Sequence, residues 1–304
     1  DLVAKIDVEK KAYSATTNAD ERAKIKLEYE QDVKKLETLV RDTFGVREGT
    51  TFGSKGYTVK ENANVSYGMY DSGEMYAGVR FAILDNRGTE IGKGDRTLRR
   101  KNVENPDGTT SQEWYVTNDI LRIEDKNNQK SGFAAAYNRY MENWYIANGF
   151  KNIKVHAYAA PGWEGGLVWA LNGFIWDGPS QASRVPAILR KMLNDARTTE
   201  EEKKIIKDMQ QKMAELNPTG NYTPDTVPTP LEIAQIGAYA GASENASWAG
   251  KRLMLKLDWY GIKNLDPSAT EQRQALNYDQ IRNARKRIES KANRPNVSRE
   301  LILK

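Results

Sequence analysis

Hydrophobic and polar positions follow two different periods along this chain, and the changes of period divide it into segments. Residues 20–40 place apolar side chains three or four positions apart between dense Lys, Glu and Asp, which predicts an amphipathic helix. Thr16, Thr17 and Asn18 interrupt the pattern, so the first 43 residues are predicted to form a helical hairpin. Its apolar stripe either packs on its own chain or forms an arm that binds a partner protein.

A strand pattern follows. Residues 75–85 and 89–100 read as strands on either side of Asn86-Arg87-Gly88, which is typical of a tight hairpin turn. A second turn at residues 105–108, with the sequence Asn-Pro-Asp-Gly, leads toward a short β-branched strand at residues 120–124. The pattern therefore predicts several antiparallel strands before that strand.

The central stretch of the chain places five elements in unbroken order. After the strand at residues 120–124 come a polar turn, a helix at 133–148 with Gly149 at its end, a strand at 153–158, and a short helix at 165–172 closed by Gly173. We expect the two strands to be parallel and joined by a right-handed crossover through the first helix.

The remaining sequence is charged and helical. The pattern of residues 185–216 predicts a helix that is broken near Thr198 and Thr199. Three glutamates follow directly, and acidic side chains in a first turn favour the start of a new helix. Four prolines between residues 218 and 230 predict a linker, and Thr229 is a candidate helix cap. The predicted segments are a helical arm at 1–50, a central domain at 51–180, a helical segment at 181–217, the linker at 218–230 and a mostly helical segment at 231–304.

Composition excludes several kinds of chemistry. The chain has 304 residues, of which 39% are hydrophobic and 29% charged, with no Cys and one His, the balance of a soluble globular protein. Disulfides, thiolate metal sites and cysteine nucleophiles are therefore excluded. A metal site would have to consist mainly of carboxylates, and none is expected. His156 lies in the middle of a predicted strand, which favours a packed or hydrogen-bonded residue over a catalytic one.

The ends and the charge of the chain add two expectations. No apolar run approaches the roughly 20 residues that span a bilayer, so no membrane association is expected, and the Asp1 start suits a processed product or a fragment. Residues 181–304 carry 21 Lys or Arg against 15 Asp or Glu. A basic cluster there favours a solvated helical face over contacts to nucleic-acid phosphates. Its members are Arg282, Arg285, Lys286 and Arg287.

The polar turn carries the candidate chemistry. In its second half, residues 129–134 with the sequence Gln-Lys-Ser-Gly-Phe-Ala, small side chains let backbone N–H groups approach an anion at a helix N-terminus. This Q-x-x-G-x-A pattern, with N-G-F closing the helix, I-K-V-H-A as the next strand and L-N-G-F ending the next helix, resembles the GNAT acyltransferase superfamily.

The resemblance implies an α+β fold with a mixed, splayed β-sheet and flanking helices, here extended by helical N- and C-terminal segments. It also implies that acetyl-coenzyme A binds along the strand and the turn. The residues implied are Leu121, Ile123, Gln129, Lys130, Ser131, Gly132, Phe133 and Ala134.

In that family the acid that protonates the departing thiolate is frequently a tyrosine four residues before the glycine of the closing G-F pair. Trp169 occupies this position here, and its indole N–H is too weak an acid for the task. Tyr158 or a water molecule are the alternatives. Glu113 and Glu124 are the candidates for the general base, although each also suits an exposed strand.

Two function classes follow. The first is an acetyl-coenzyme A-dependent N-acyltransferase, intact or degenerate. The second is a non-catalytic structural protein of a phage virion or another assembly, which keeps a GNAT-like scaffold and binds partners through its N- and C-terminal helices. The expected location is accordingly the cytoplasm or a virion.

Overall fold

The computed structural model describes residues 2–44, 46, 49–105, 107–124, 127–128, 131–159, 165–238 and 246–265. These residues form an α+β fold with an open, mixed β-sheet flanked by helices. The chain divides into two compact units. Among the described residues, the first unit extends to Lys154 and includes Asn264 and Leu265, and the second runs from Val155 to Lys263.

The first unit begins with the predicted helical hairpin, formed by α1 (Leu2–Ala15) and α2 (Ala19–Phe44). Asn18 caps α2, because its Oδ1 accepts hydrogen bonds from the backbone N–H groups of the first helical turn at 3.0 and 3.1 Å. Ile6, Leu36 and Val40 are buried. The apolar stripe of the hairpin therefore packs on its own chain.

Strands β1 (Thr58–Met69), β2 (Met75–Leu84), β3 (Glu90–Glu104), β4 (Thr110–Ile123) and β5 (Asn152–Ala157) lie in that order in the sheet. The first four are antiparallel neighbours, which confirms the predicted hairpin between β2 and β3. Gly88, in the turn between these strands, has a φ of 79° that a side chain would strain. The strand predicted at residues 120–124 is only the last part of a longer strand, and Glu124 follows its end.

Helix α3 (Phe133–Ala147) connects β4 to its neighbour β5. Phe133, Tyr137, Met141 and Tyr145 are buried at four-residue spacing, so one stripe of the helix packs into the core. The helix ends with Gly149 at a φ of 76°, as its sequence predicts. A helical crossover between adjacent strands is the kind of connection that parallel neighbours need.

The second unit is mainly helical. Its elements are α4 (Gly165–Leu171), β6 (Ile175–Trp176), α5 (Pro179–Ala182), α6 (Val185–Leu193), α7 (Glu200–Leu216), α8 (Pro230–Ala234), α9 (Ala249–Met254) and β7 (Trp259–Asn264). The break between α6 and α7 confirms the predicted interruption. Strand β7 pairs antiparallel with β6 and was not predicted, because its segment had been expected to be mostly helical.

Two tryptophans organise the core of the second unit. The rings of Trp176 and Trp259 meet edge to face with centroids 5.2 Å apart, and both side chains are fully buried. Each indole N–H donates to a backbone carbonyl, Trp176 to Pro228 at 2.8 Å and Trp259 to Gly166 at 3.3 Å. The first of these bonds fixes the Pro-rich segment, which has no helix or strand of its own between residues 218 and 229.

Candidate functional site

The candidate ligand site lies where α3 begins. Gly132 is the N-cap of the helix with φ 77° and ψ 8°, a left-handed conformation that favours glycine, and as a glycine it supplies no side-chain cap. The backbone N–H of Ala136 donates to the carbonyl of Gly132 at 3.0 Å, which closes the first turn. Helix geometry leaves the N–H groups of Ala134 and Ala135 without an acceptor inside the helix, so both can bind an anion.

The other residues of the predicted turn divide into two groups. Ser131 is buried, and its Oγ accepts a hydrogen bond from the backbone N–H of Phe133 at 3.3 Å. That N–H is therefore already used by the protein. Gln129 and Lys130, also predicted to bind coenzyme A, lie outside the described residues.

A loop that lies just before β1 packs directly on this turn. We call residues 52–57 the strap. Its two ends pair as an isolated bridge, with Phe52 N–H donating to Tyr57 O at 2.7 Å and Tyr57 N–H returning a bond at 3.0 Å. The backbone N–H and the Oγ of Ser54 both donate to the carbonyl of Ser131, at 2.6 and 3.1 Å. The strap therefore binds the residue just before the helix cap.

Further contacts hold the strap in place. The Tyr57 hydroxyl donates to the backbone and side-chain oxygens of Asn128 at 3.3 and 3.1 Å, and the Lys55 ammonium donates to the carbonyl of Asn127. The Phe52 ring meets the rings of Phe133, Tyr137 and Tyr140 edge to face, with centroids 5.4 to 5.9 Å apart. Sequence analysis missed this contact, for which the only signal was a glycine-rich loop flanked by two aromatic residues.

Gly53 shows how closely the strap approaches the turn. A Cβ atom at this position would lie 2.5 Å from Ser131 O and 2.8 Å from Phe133 N, and the φ of Gly53 is +73°. At Gly132, by contrast, the nearest atom to an added Cβ would be the Gly53 Cα at 4.0 Å. The strap therefore covers the Phe133 side of the helix start, which leaves Ala134 and Ala135 as the backbone donors for a ligand.

The predicted strand residues Leu121 and Ile123 are half-buried in β4, opposite Gly94 and Gly92 of β3. The pairing of these two strands shifts by one residue at Asp119, which forms a bulge. The Asp119 Oδ2 accepts hydrogen bonds from two threonine hydroxyls, at 2.7 and 3.3 Å. A bulge next to the predicted ligand strand is a feature that sequence analysis did not find.

The two candidate bases lie near opposite ends of β4. Glu113 accepts a hydrogen bond from Asn152 Nδ2 at 2.5 Å and forms an ion pair with Lys101 at 3.3 Å. Glu124 is half-exposed and lies 3.8 Å from the Lys93 ammonium. Glu113 and Glu124 are eleven positions apart in extended chain, which is about 36 Å at 3.3 Å per residue. The two carboxylates therefore cannot serve one reaction centre.

The candidate acid position lies in the second unit. Trp169 is 8% exposed, and its ring meets Phe174 edge to face at 5.2 Å, so the indole fills the core. Tyr158, the alternative acid, is half-exposed and meets His156 edge to face at 5.7 Å. No side chain with the acidity of a phenol therefore occupies the position of the expected acid.

His156 is hydrogen-bonded, as expected. Its Nε2 lies 2.7 Å from Asp258 Oδ1, and its ring stacks on Tyr260 with centroids 4.4 Å apart and planes 10° from parallel. These contacts join neighbouring strands of the second unit. They account for the residue without a catalytic role.

Other expectations concern residues or features beyond this site. Arg282, Arg285, Lys286 and Arg287 lie outside the described residues. Among the residues that are described, no group of three or more His, Cys, Asp or Glu side chains could hold a metal ion, and no helix is long and apolar enough to cross a membrane.

Comparison of the chain with protein-family models, with curated proteins and with solved structures finds no match. Assignment of a function therefore depends on the geometry described above.

Proposed function

We propose that this chain is a GNAT-like domain that binds acetyl-coenzyme A at the start of α3 and whose acyl-transfer chemistry is degenerate. The observation that carries the proposal is the left-handed Gly132, a cap residue without a side chain, at the start of the helix that follows β4 and leads to β5. The pyrophosphate of the cofactor would accept hydrogen bonds from Ala134 N–H and Ala135 N–H, where the helix dipole also favours negative charge.

Binding and catalysis place different demands on the chain. In acyl transfer the acceptor amine must lose a proton before its nitrogen attacks the thioester carbonyl, and the sulfur needs a proton as the C–S bond breaks. Glu113 is engaged by Asn152 and Lys101, and Trp169 is a buried indole. Ligand binding without efficient turnover therefore fits these residues better than an active transferase.

The strap favours a second candidate function, a non-catalytic structural protein of a virion or another assembly. Ser54 uses both its backbone N–H and its hydroxyl to bind Ser131 O, and Gly53 packs against Phe133 N. A turn held by its own chain suits a scaffold that no longer needs a ligand there. Helices α1 and α2 would then contribute a surface for assembly partners.

Calorimetric titration with acetyl-coenzyme A tests binding, and Gly132 offers a matched pair of variants. An added side chain there has room, and Asn and Asp tolerate the left-handed conformation better than other residues. We expect the wild type and Gly132→Asn to bind the cofactor. Gly132→Asp should bind at least about tenfold more weakly, because its carboxylate repels the pyrophosphate.

Circular dichroism provides the folding control for each variant. Absence of heat for a folded wild-type protein rejects the cofactor proposal and favours the scaffold. Equal affinities of Gly132→Asn and Gly132→Asp would show that the cofactor binds elsewhere.

A thiol-release assay with a panel of amines tests whether turnover is degenerate. We expect the wild type, Trp169→Phe and Trp169→Tyr all to stay near the uncatalysed rate, because residue 169 fills the core and Glu113 is engaged by other side chains. Turnover confined to Trp169→Tyr would instead make the missing acid the sole defect. One general acid contributes about 10²-fold to 10⁴-fold to a rate. Robust wild-type turnover would reject the hypothesis that the acyl-transfer chemistry is degenerate and would favour an active N-acyltransferase.

A further inference from the structure

A buried arginine lies beneath α3. Arg96 of β3 is 1% exposed, and its Nη2 donates to Asn138 Oδ1 at 2.7 Å. Its Nε and Nη1 are also buried, but neither has a hydrogen-bond partner. Within the part of the chain that the structure describes, no carboxylate forms an ion pair with Arg96. The guanidinium thus brings a full positive charge and several unused N–H groups into the core of the first unit.

Other polar atoms without partners belong to the same packing layer. The hydroxyls of Tyr137 and Tyr145 are buried without a hydrogen bond of good geometry, although Arg96 is close enough to Tyr137 to oppose the rise in its pKa that burial causes. The Arg96 Cζ lies 5.5 Å from the centroid of the Tyr137 ring. Asn118 of β4 is directly opposite Arg96 in the strand register, and its Oδ1 also has no partner. Residues from β3, β4 and α3 therefore contribute to one buried polar cluster.

The composition of this cluster is unbalanced. Each phenol hydroxyl can both donate and accept and Asn118 Oδ1 can accept, so the cluster has acceptors, but none of its atoms without partners carries a negative charge to match the guanidinium. Burial raises the pKa of Tyr137 to about 12 and also raises the pKa of Tyr145, so both phenols stay protonated at neutral pH. Neither tyrosine can then supply the negative charge that Arg96 needs.

We propose that Arg96, Tyr137 and Tyr145 form an internal binding site for a small monovalent inorganic anion such as chloride, bromide or nitrate. One negative charge matches the single guanidinium, and the anion accepts hydrogen bonds from donors that otherwise lose theirs on folding. A water molecule can accept hydrogen bonds there but brings no charge, so it leaves the guanidinium without a counterion. The anion would connect α3 to the sheet. This site is separate from the one proposed for acetyl-coenzyme A.

Thermal unfolding of the full chain measures the effect of the anion. After exhaustive dialysis into sodium gluconate, whose anion is too large for a packed core, chloride replaces gluconate at constant ionic strength. An anion that binds only the folded state raises the melting temperature by roughly 2–4 °C for each tenfold increase in its concentration above the dissociation constant. We expect this slope for the wild type and no slope for Arg96→Met.

Arg80→Met is the matched control, because Arg80 lies on the neighbouring strand β2, is exposed and pairs with Asp95 at 3.1 Å. It should retain the wild-type slope. A flat wild-type response overturns the proposal, and so does a chloride slope that is the same in Arg96→Met as in the wild type.

Asn118→Asp keeps the test decisive if Arg96→Met does not fold. The new carboxylate stands opposite Arg96 and replaces the anion, so the melting temperature in gluconate should rise and the chloride slope should disappear. A wild-type slope in this variant overturns the proposal. Crystals grown in bromide locate the site directly: an anomalous peak beside the Arg96 guanidinium supports the proposal, and bromide bound only elsewhere contradicts it.

Discussion

The starts of α3 and α7 are held by different kinds of contact. At α7, Thr199 Oγ1 accepts a hydrogen bond from Glu202 N–H at 3.2 Å, and Glu202 returns one by accepting from Thr199 N–H at 2.8 Å. At α3 the cap residue is Gly132, Ser131 Oγ accepts from Phe133 N–H at 3.3 Å, and Ser54, 77 residues before Ser131, donates to the Ser131 carbonyl. Local sequence thus completes α7, whereas the start of α3 also depends on a distant part of the chain.

The same contrast separates two buried charged residues. Glu202 is 7% exposed, and both of its oxygens are used, Oε2 by Thr199 N–H and Oε1 by Ala249 N–H at 2.9 Å. Arg96 is more deeply buried, yet two of its nitrogens have no partner. The first charge is satisfied by the protein itself and is structural, whereas the second is the observation on which the proposed anion site rests.

The largest expected effect comes from Glu202→Leu. This change leaves the N–H groups of Thr199 and Ala249 without an acceptor and removes two charge-assisted hydrogen bonds, so we expect a loss of about 3–4 kcal/mol in the free energy of unfolding. Urea denaturation measures it. Glu201→Ala is the control on an exposed neighbouring position, where the loss should stay below about 0.5 kcal/mol. Equal losses would mean that Glu202 is no more structural than its neighbour.

Gly53→Ala tests whether the strap really determines the start of α3. Its Cβ would lie 2.5 Å from Ser131 O and 2.8 Å from Phe133 N, and both are backbone atoms that cannot move away alone. We expect a loss of about 2–3 kcal/mol from this overlap combined with the strain of a positive φ.

Gly56→Ala separates the overlap from the strain. Gly56 is in the same loop with a φ of +64°, and no atom lies within 4 Å of the added Cβ. Its loss should be about 1 kcal/mol, the cost of the left-handed conformation alone. Equal losses in the free energy of unfolding for Gly53→Ala and Gly56→Ala would mean that the strap is not in tight contact with the turn.

Local signals account for the parts of the molecule that sequence analysis predicted. Asn86-Arg87-Gly88 is enough for the hairpin between β2 and β3, and Thr199 followed by three glutamates is enough for the start of α7. The aromatic spacing of α3 and the glycine after it likewise fix that helix within a residue of its predicted end.

Long-range contacts account for what was missed. The strap and the turn are far apart in sequence, so nothing near Gly132 indicates that Ser54 binds its neighbour. Arg96 lies in a polar, basic stretch of β3, and this composition predicts a solvent-exposed strand. In the structure, however, Arg96 is buried beneath α3. The partners of Glu113 are also set by pairing between strands, so its engagement with Asn152 could not be seen in the sequence.

The smallest expected effects compare one hydroxyl at each helix start. Thr199→Ala removes the cap of α7 and should cost about 1 kcal/mol, whereas Thr199→Ser keeps the oxygen and should cost little. Ser54→Ala removes the 3.1 Å bond to Ser131 O, but the Ser54 backbone N–H still donates to the same carbonyl at 2.6 Å. We therefore expect a loss of only about 0.5 kcal/mol by urea denaturation. A loss for Ser54→Ala as large as that for Thr199→Ala would mean that the strap hydroxyl supports the start of α3 as strongly as the Thr199 cap supports α7, although it donates to a carbonyl and caps no helix N–H group.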